Sequence, residues 1–138
     1  MLALAPTRLF TGSEILEGHT VHISEGRILD ITAATSPAAI KLDGLLAPGF
    51  IDIQVNGGGG VMFNDAPTVE SLETIADAHA RFGVTGFMAT LISDDRARIV
   101  RAIDAVSEAV EDEVEGVLGL HLEGPWLSDP RRGVHPSK

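Results

Sequence analysis

One alternation governs residues 48 to 123: a short apolar segment is followed by a longer segment with helical periodicity, and the pattern then repeats. Near-continuous apolar strands that alternate with amphipathic helices are typical of a parallel sheet covered by helices. We therefore predict an α/β fold in the order β-α-β-α-β. Three strands are too few to close a barrel, so this pattern is typical of the opening of a larger α/β domain. The three predicted strands are GFIDIQV (49–55), VTGFMATLI (84–92) and GVLGLHL (116–122).

Two helices are predicted between these strands. The first carries apolar residues at helical spacing and is stopped by Gly83. The second begins at Ser93, its predicted N-cap, with Asp94 and Asp95 placed favourably beside the positive end of the helix. The predicted apolar face of the first helix consists of Val69, Leu72, Ile75, Ala76 and His79. That of the second helix consists of Ile99, Ala102, Ile103, Val106 and Val110.

Residues 1–47 differ from the rest of the chain and are predicted to form a separate β-rich segment. From residue 7 onward, short β-branched stretches alternate with turn residues, and Glu25-Gly26 is predicted to be a turn between two strands. Such a small sheet needs further strands or a neighbouring domain to cover its core. We therefore divide the chain into residues 1–47 and residues 48–138.

The charge and composition exclude several classes of partner and site. The 138 residues have a formal net charge of −10, which repels nucleic acid and anionic membranes, so neither partner is expected. The absence of cysteine excludes disulfides and thiolate metal ligands and agrees with a cytoplasmic location. No apolar stretch has the roughly 20 residues needed to cross a bilayer, and the N-terminus lacks the basic region of a signal peptide.

Polar side chains occur where two of the predicted strands end. Gln54 and Asn56 share one face of the first strand, and His121 and Glu123 share one face of the third. Because parallel α/β folds bind ligands at the carboxyl ends of their strands, these residues are candidates for a site. A simpler alternative for the two amides is that they end a strand and start a turn.

Glu123 is the strongest of these candidates. A carboxylate at the end of an apolar strand is costly to bury unless it is paired, protonated or bound to a metal. Gly124 and Pro125 turn the chain directly after it and hold the carboxylate at the rim. The residues alone favour a functional acid and leave a salt-bridged acid open.

Other polar and aromatic features have structural interpretations. The four glycines at 57–60 are not followed by the Gly-Lys-Ser/Thr of a phosphate loop, so we predict a flexible or tightly turning loop. His79 is interpreted as a histidine at the edge of the core. Trp126 is expected either in the core or in the wall of a pocket.

Three longer stretches resemble one known family. They are LLAPGFIDIQVNGGGGVMFND, GVTGFMATLIS and LGLHLEGPWLSDPRRGVHPSK, which occur in order from Leu45 to the end of the chain. Together they resemble the N-terminal third of the N-acetylglucosamine-6-phosphate deacetylases, a family of the amidohydrolase superfamily. The specific part of the likeness is HLEGPW followed by GVH, since PGFID alone indicates only the superfamily. The β-rich leader resembles the family's small β-domain more loosely.

This resemblance implies a fold and an assembly. Members of the family are metal-dependent hydrolases whose (β/α)₈ barrel is accompanied by a β-sandwich built from both chain ends. Residues 48–138 would then form the first three strands and two helices of an incomplete TIM barrel, and residues 1–47 a segment of the β-sandwich. Because family members are commonly homodimers, the resemblance implies a homodimer for the intact protein.

The resemblance also implies roles for individual residues. Glu123 matches the family's metal-binding glutamate, and the implied cofactor is one Zn²⁺ per intact subunit, with two histidine ligands on later strands. Gln54 and Asn56 stand where most of the superfamily has His-x-His, which implies a mononuclear site whose amides orient the water beside the metal or hold the cavity. Val134 and His135 match the substrate-binding stretch, Val134 through its backbone and His135 through its side chain. A flexible terminal histidine is the alternative for His135.

The implied reaction is hydrolysis of the acetamide of an amino-sugar phosphate, N-acetylglucosamine 6-phosphate, to glucosamine 6-phosphate and acetate. The family's general-base aspartate is expected beyond Lys138, as are the phosphate-binding residues. We therefore assign no catalytic residue within this chain and expect residues 1–138 alone to be inactive. Two alternatives remain: another amidohydrolase that cleaves a different amide, and a truncated, non-enzymatic product that self-associates.

Overall fold

The computed structural model describes residues 1–34 and 36–135. The chain divides into two compact units, Met1–Pro48 and Gly49–Lys138. In the described residues, the first unit contains one sheet, the second contains a three-stranded and a two-stranded sheet, and each unit has its own buried residues. Neither helix in the described part of the chain has the length and apolar character of a membrane-spanning segment.

The first unit is built from strands, as its β-branched composition predicts. They are β1 (Leu2–Phe10), β2 (Ile15–Glu17), β3 (Thr20–Ser24), β4 (Arg27–Thr32) and β5 (Ile40–Leu46). Within the described residues these strands form one sheet in the order β2-β1-β3-β4, with β5 paired to β1 in parallel. The first strand starts at Leu2 and not near residue 7, because Leu2, Ala3 and Leu4 pair with β3.

The predicted turn at Glu25-Gly26 is confirmed. It joins β3 to β4, and both of its residues have positive φ angles, 51° at Glu25 and 72° at Gly26. Two positive φ angles in a two-residue connection match the twist of an antiparallel hairpin. Glycine adopts this conformation without steric cost, which accounts for its place in the turn.

The second unit has the predicted alternation of strands and helices. Its main elements are β6 (Phe50–Val55), β7 (Gly57–Gly58), β8 (Val61–Met62), α1 (Val69–Ala80), β9 (Val84–Ile92), α2 (Arg96–Glu111), β10 (Val117–Glu123) and a 3₁₀ helix (Asp129–Arg131). Strands β6, β9 and β10 form a parallel sheet in the order β10-β9-β6. The α/β class and the parallel sheet are therefore confirmed for the described residues.

Helix α1 buries the face that its periodicity predicts. Leu72 and Ile75 are fully buried, and Val69 and Ala76 pack against the same core. His79 is half-buried and stacks on Phe87 of β9 with ring centroids 6.4 Å apart, as expected of a histidine at the edge of the core. The helix ends at Ala80, before the glycine predicted to stop it.

Helix α2 buries part of its predicted face, since Ala102 and Val106 are buried and Ile99 packs against the core, but two predicted residues are not buried. Ile103 and Val110 were expected in the apolar stripe, yet each is 44% exposed. The buried residues are Ala102, Ala105, Val106 and Ala109. Small alanine side chains let the helix backbone approach the sheet closely, so this face packs inward and the bulkier residues lie at its flank.

The start of α2 also differs. Its N-cap is Asp95, whose Oδ1 accepts a hydrogen bond from the Arg98 backbone N–H at 2.7 Å. The prediction of Ser93 as the cap was wrong, because the Ser93 backbone N–H and hydroxyl contact a histidine distant in sequence. Thr68 caps α1 in the same way, by accepting from the Ser71 N–H.

The glycine-rich stretch forms a tight hairpin, which is one of the two predicted forms. Gly57 and Gly58 pair with Val61 and Met62, and the turn between them has two glycines with positive φ angles. A Cβ atom on Gly57 would overlap the carbonyl oxygen of Val61, so the hairpin requires glycine there. His79 Nε2 lies 3.0 Å from the Gly57 carbonyl oxygen and joins the hairpin to α1.

Candidate functional site

Glu123 lies at the carboxyl end of β10, where the parallel sheet predicts a site. Its side chain is 33% exposed, and both carboxylate oxygens have side-chain partners. Gln54 Nε2 donates to Oε2 at 3.2 Å, and His135 Nε2 lies 3.3 Å from Oε1. The structure thus brings together Glu123, Gln54 and His135, all three of which are candidates from the sequence. Gln54 is 69 residues and His135 is 12 residues from Glu123 along the chain.

The two amides at the end of β6 make different contacts. Gln54 is exposed and reaches the carboxylate of Glu123. Asn56 is half-buried and its Nδ2 donates to the carbonyl oxygen of Thr90 at 3.4 Å, so it joins two neighbouring strands. Of the two amides, Gln54 is therefore the one that contacts the candidate ligand directly.

The side chain and the backbone of His135 both make hydrogen-bond contacts. Its side chain is only 6% exposed. Nδ1 lies 2.9 Å from Ser93 Oγ and accepts a hydrogen bond from the Ser93 backbone N–H at 3.2 Å. The backbone is fixed as well, because the His135 N–H donates to the Arg132 carbonyl and Arg132 Nη1 donates to the His135 carbonyl at 3.0 Å.

Gly124 makes room for this arrangement. It follows Glu123 directly, and a Cβ atom at this position would overlap Ser93 Oγ. Its φ angle of 98° is also one that favours glycine. Glycine after the acid is therefore needed for Ser93 to approach the turn that holds the carboxylate, where Ser93 Oγ lies 3.4 Å from the Glu123 carbonyl oxygen.

Three other residues from the sequence analysis lie in β10 or in the segment that follows it. Val134 is 87% exposed. Trp126 is 92% exposed, so neither predicted role, in the core or in a pocket wall, is confirmed by its surroundings in the described chain. His121 is half-buried and its Nδ1 lies 3.2 Å from the hydroxyl of Thr90, which places it in contact with the neighbouring strand and not with Glu123.

Sequence analysis missed Asn64, which is 7% exposed beside this site. Its Oδ1 accepts from the Ile92 N–H at 3.0 Å, while its Nδ2 donates to the Ile92 carbonyl at 3.2 Å and to Asp94 Oδ2 at 3.0 Å. Arg98 Nη1 donates to the Asn64 carbonyl oxygen. No local pattern could have revealed Asn64, because all these partners lie 28 to 34 residues away in sequence.

The same contacts shift the ionisation of Asp94. Partial burial alone raises the pKa of Asp94, but hydrogen bonds from Asn64 Nδ2 and the Asp95 N–H, together with the charges of Arg98 and Arg101, outweigh it. The net result is a pKa below the ordinary aspartate value. Asp94 therefore stays ionised at neutral pH beside the turn that carries Ser93.

The described residues fit one part of a metal site. A carboxylate at a strand end, oriented by neighbouring donors, is a suitable oxygen ligand for Zn²⁺. Among residues 1–34 and 36–135, however, no group of three or more histidine, aspartate or glutamate side chains is placed to hold a metal ion. Within this part of the chain, Glu123 is the candidate oxygen ligand.

Sequence relatives and solved structures match the chain over nearly its whole length. The N-acetylgalactosamine-6-phosphate deacetylase of Shewanella sp. (strain ANA-3) is 40% identical over 143 residues, covering 99% of this chain and 36% of that protein. The N-acetylglucosamine-6-phosphate deacetylase of Haemophilus influenzae is 37% identical over 139 residues, covering 96% and 36% respectively. The crystal structure of N-acetylglucosamine-6-phosphate deacetylase from Pasteurella multocida matches with a TM-score of 0.90 at 31% identity, covering 98% of this chain and 37% of that one.

No protein-family model matches the chain. The chain spans about a third of the length of the relatives that it matches. The likeness in sequence and the likeness in backbone nevertheless agree on the same group of proteins. The chain is therefore homologous, over nearly its whole length, to the N-terminal third of the N-acetylglucosamine-6-phosphate deacetylases.

Proposed function

We propose that this chain contributes the Glu123 side of the active site of a metal-dependent amino-sugar 6-phosphate deacetylase. The observation that carries the proposal is the placement of Glu123 at the end of a parallel strand with hydrogen-bond partners on both oxygens. The homology to deacetylases that cleave the acetamide of sugar phosphates supports the reaction class.

In this proposal, Glu123 binds one divalent metal ion, Zn²⁺, through a carboxylate oxygen. The metal, when bound, supplies Lewis-acid polarisation of the acetamide carbonyl and lowers the pKa of water. Gln54 orients the carboxylate through its Nε2–H, and Asn56 keeps the end of β6 in register with Thr90. His135 and the backbone of Val134 would contact the sugar beside Glu123.

The substrate class is an N-acetylated hexosamine 6-phosphate. We propose N-acetylglucosamine 6-phosphate as the substrate, since most of the named relatives are deacetylases of this compound. The relative with 40% identity is named for the galactosamine compound, which makes N-acetylgalactosamine 6-phosphate the second candidate. The two compounds differ only in the configuration at C4, so one assay tests both.

The finer architecture belongs to the same proposal. The β-α-β-α-β unit would be the opening of a (β/α)₈ barrel, and the first unit a segment of a β-sandwich. Parallel pairing of β6, β9 and β10 supports the barrel, because a parallel barrel begins with such a sheet. A homodimer of the intact protein and a cytoplasmic location stay predictions.

The test is acetate release by the natural protein that carries this sequence, purified at its full length with Zn²⁺ present. We expect release from at least one of the two hexosamine phosphates and none from a dipeptide or a cyclic amide. Cleavage of the dipeptide or cyclic amide alone would favour the other amidohydrolase alternative. Absence of any hydrolysis in a metal-loaded protein would favour the non-enzymatic alternative. Residues 1–138 alone are expected to release no acetate.

A further inference from the structure

We propose that the Ser93 backbone N–H, held in place by the Asn64 side chain, fixes His135 as the tautomer with its proton on Nε2. His135 then acts as a hydrogen-bond donor beside Glu123 and not as a metal ligand, and Asn64 is a positioning residue for it. This inference rests on the proposed function, because it assigns the chemical role of a residue in that site.

Nδ1 of His135 faces the backbone N–H of Ser93. A backbone N–H can only donate, and the Ser93 N–H points at Nδ1 with an N···N distance of 3.2 Å. A proton on Nδ1 would therefore face the hydrogen of Ser93. The Ser93 hydroxyl has one proton and lies 2.9 Å from Nδ1 and 3.4 Å from the Glu123 carbonyl oxygen. With Nδ1 already an acceptor of the backbone N–H, this proton is directed to the nearer Nδ1 and not to the carbonyl. The lone pair on Nδ1 is thus assigned by the backbone.

Nε2 of His135 faces the carboxylate of Glu123. With Nδ1 as acceptor, Nε2 carries the proton, and it lies 3.3 Å from Oε1 of Glu123, which can only accept when ionised. A protonated Nε2 has no lone pair to offer a metal ion. Because the His135 side chain is 6% exposed, water has little access to replace this donor. The ring therefore offers one N–H to the carboxylate or to a substrate oxygen bound beside it.

The Asn64 side chain holds the turn that carries the Ser93 N–H. The residues on both sides of Ser93 are bonded to Asn64: Ile92 through its N–H and carbonyl, and Asp94 through Oδ2. Asn64 is 7% exposed, so these bonds are shielded from solvent. The turn between β9 and α2 is thereby fixed to the segment that follows β8. Displacing that turn would remove the group that selects the tautomer.

The direct test is a long-range ¹H–¹⁵N spectrum of the histidine side chains in the natural protein at its full length, recorded with and without Zn²⁺ at about pH 8, well above the ordinary histidine pKa. The His135 signals are assigned by their absence from a His135→Gln variant. We expect an unprotonated Nδ1 and a protonated Nε2 in both samples. A protonated Nδ1, or loss of the Nε2 proton on adding Zn²⁺, would overturn the proposal.

Two substitutions separate a donor from a ligand. His135→Gln retains an N–H donor that can reach Glu123, whereas His135→Ala removes it. We expect both variants to retain Zn²⁺ at saturating metal, with kcat/KM reduced about 10–100-fold in His135→Ala, the range typical of partners of a metal ligand, and largely restored in His135→Gln. Loss of Zn²⁺ from both variants at saturating metal would show that His135 is a ligand and contradict the inference.

Asn64 is tested by Asn64→Ala, with the exposed Glu108→Gln on α2 as a control. We expect a mixture of His135 tautomers in the Asn64 variant and a single tautomer in the control; a single, unchanged tautomer in both would remove the positioning role. The spectra do not depend on turnover. Deacetylase activity with the wrong tautomer would therefore defeat this inference alone, while the expected tautomer without deacetylase activity would defeat the proposed function alone.

Discussion

Glu123 has both carboxylate oxygens engaged by side chains from outside its own strand. Gln54 comes from β6 and His135 from the turn after the 3₁₀ helix. Donors of this kind fix the orientation of a carboxylate before a ligand arrives, and a ligand that is already oriented needs less ordering when it binds. The contact with His135 Nε2 at 3.3 Å also has the geometry of an ion pair when that histidine is protonated, so a functional acid and a salt-bridged acid both agree with the structure.

Replacing Gln54 with alanine is expected to weaken metal binding by about 10–100-fold, because it removes the donor to Oε2 of Glu123. Asn56→Ala is the matched control, since Asn56 bonds to the Thr90 backbone and not to Glu123. Competition with a metal-binding dye measures both affinities in the full-length natural protein. Equal losses in the two variants would contradict the separate roles assigned to them.

At the scale of elements, the start of α2 provides the clearest prediction of stability. Asp95→Ala removes the acceptor for the Arg98 N–H and is expected to lower the free energy of unfolding by about 0.5–2 kcal/mol. Asp95→Asn is the control, since asparagine is an N-cap of comparable strength. Urea denaturation measures both variants. A larger loss for Asp95→Asn than for Asp95→Ala would contradict the assigned cap.

Asp94 makes the stability of the same turn depend on pH. Because its folded-state pKa is below the unfolded value of about 3.9, the ionised carboxylate stabilises the fold above that value, and this contribution is lost as the pH falls through the lower folded value. Asp94→Asn is therefore expected to be less stable than wild type at pH 7, with the difference shrinking toward pH 2. A difference in unfolding free energy that grows on acidification would contradict this.

The boundaries of elements could be predicted where local signals are strong. The run of apolar residues bounded by Gly83 and Ser93 predicted β9 at its observed limits, Val84–Ile92. The cap of α2 could not be predicted in this way, because Ser93, Asp94 and Asp95 are all suitable caps and distant contacts decide among them. Similarly, periodicity does not reveal how closely a helix approaches a sheet, so Ala102 on α2 was predicted to be buried but Ala105 and Ala109 were missed.

In the candidate site, too, some features could be predicted from local sequence and others depend on distant contacts. Gln54 and Glu123 could be predicted to lie at the same edge of the sheet, because parallel strands have their carboxyl ends at one edge. The contacts of Asn64 and the burial of His135 depend on loops whose partners lie 28 to 42 residues away. Such contacts are set by tertiary packing and carry no local sequence signal.

At the scale of the whole molecule, apolar side chains remain uncovered in the described residues. On the parallel sheet, Ile51 and Leu118 both lie next to the Cβ position of Gly86, and they are 61% and 50% exposed. Within the described chain, β6 and β10 each pair with a strand on one side only. Exposed apolar surface and free strand edges of this kind are typical of interfaces or of association.

Residues 1–138 produced alone are therefore expected to self-associate. Light scattering after size-exclusion chromatography should give a mass well above 14.5 kDa that rises with concentration. A double variant with Ile51→Thr and Leu118→Thr, which makes the exposed sheet face more polar, should associate less. A stable monomer at high micromolar concentration would contradict the assignment of these strands to an unfinished barrel.

The central claim is that Glu123 is a metal ligand, and Glu123→Gln tests it most directly. The measurement is the zinc content of the purified, full-length natural protein, with acetate release recorded on the same sample and Glu108→Gln as the exposed control. We predict that Glu123→Gln loses its zinc and that its acetate release falls by more than about 100-fold. Such a loss exceeds the range typical of residues that only contact a ligand. The control is expected to resemble wild type in both measurements. Full zinc content and undiminished acetate release in Glu123→Gln would remove Glu123 from the site.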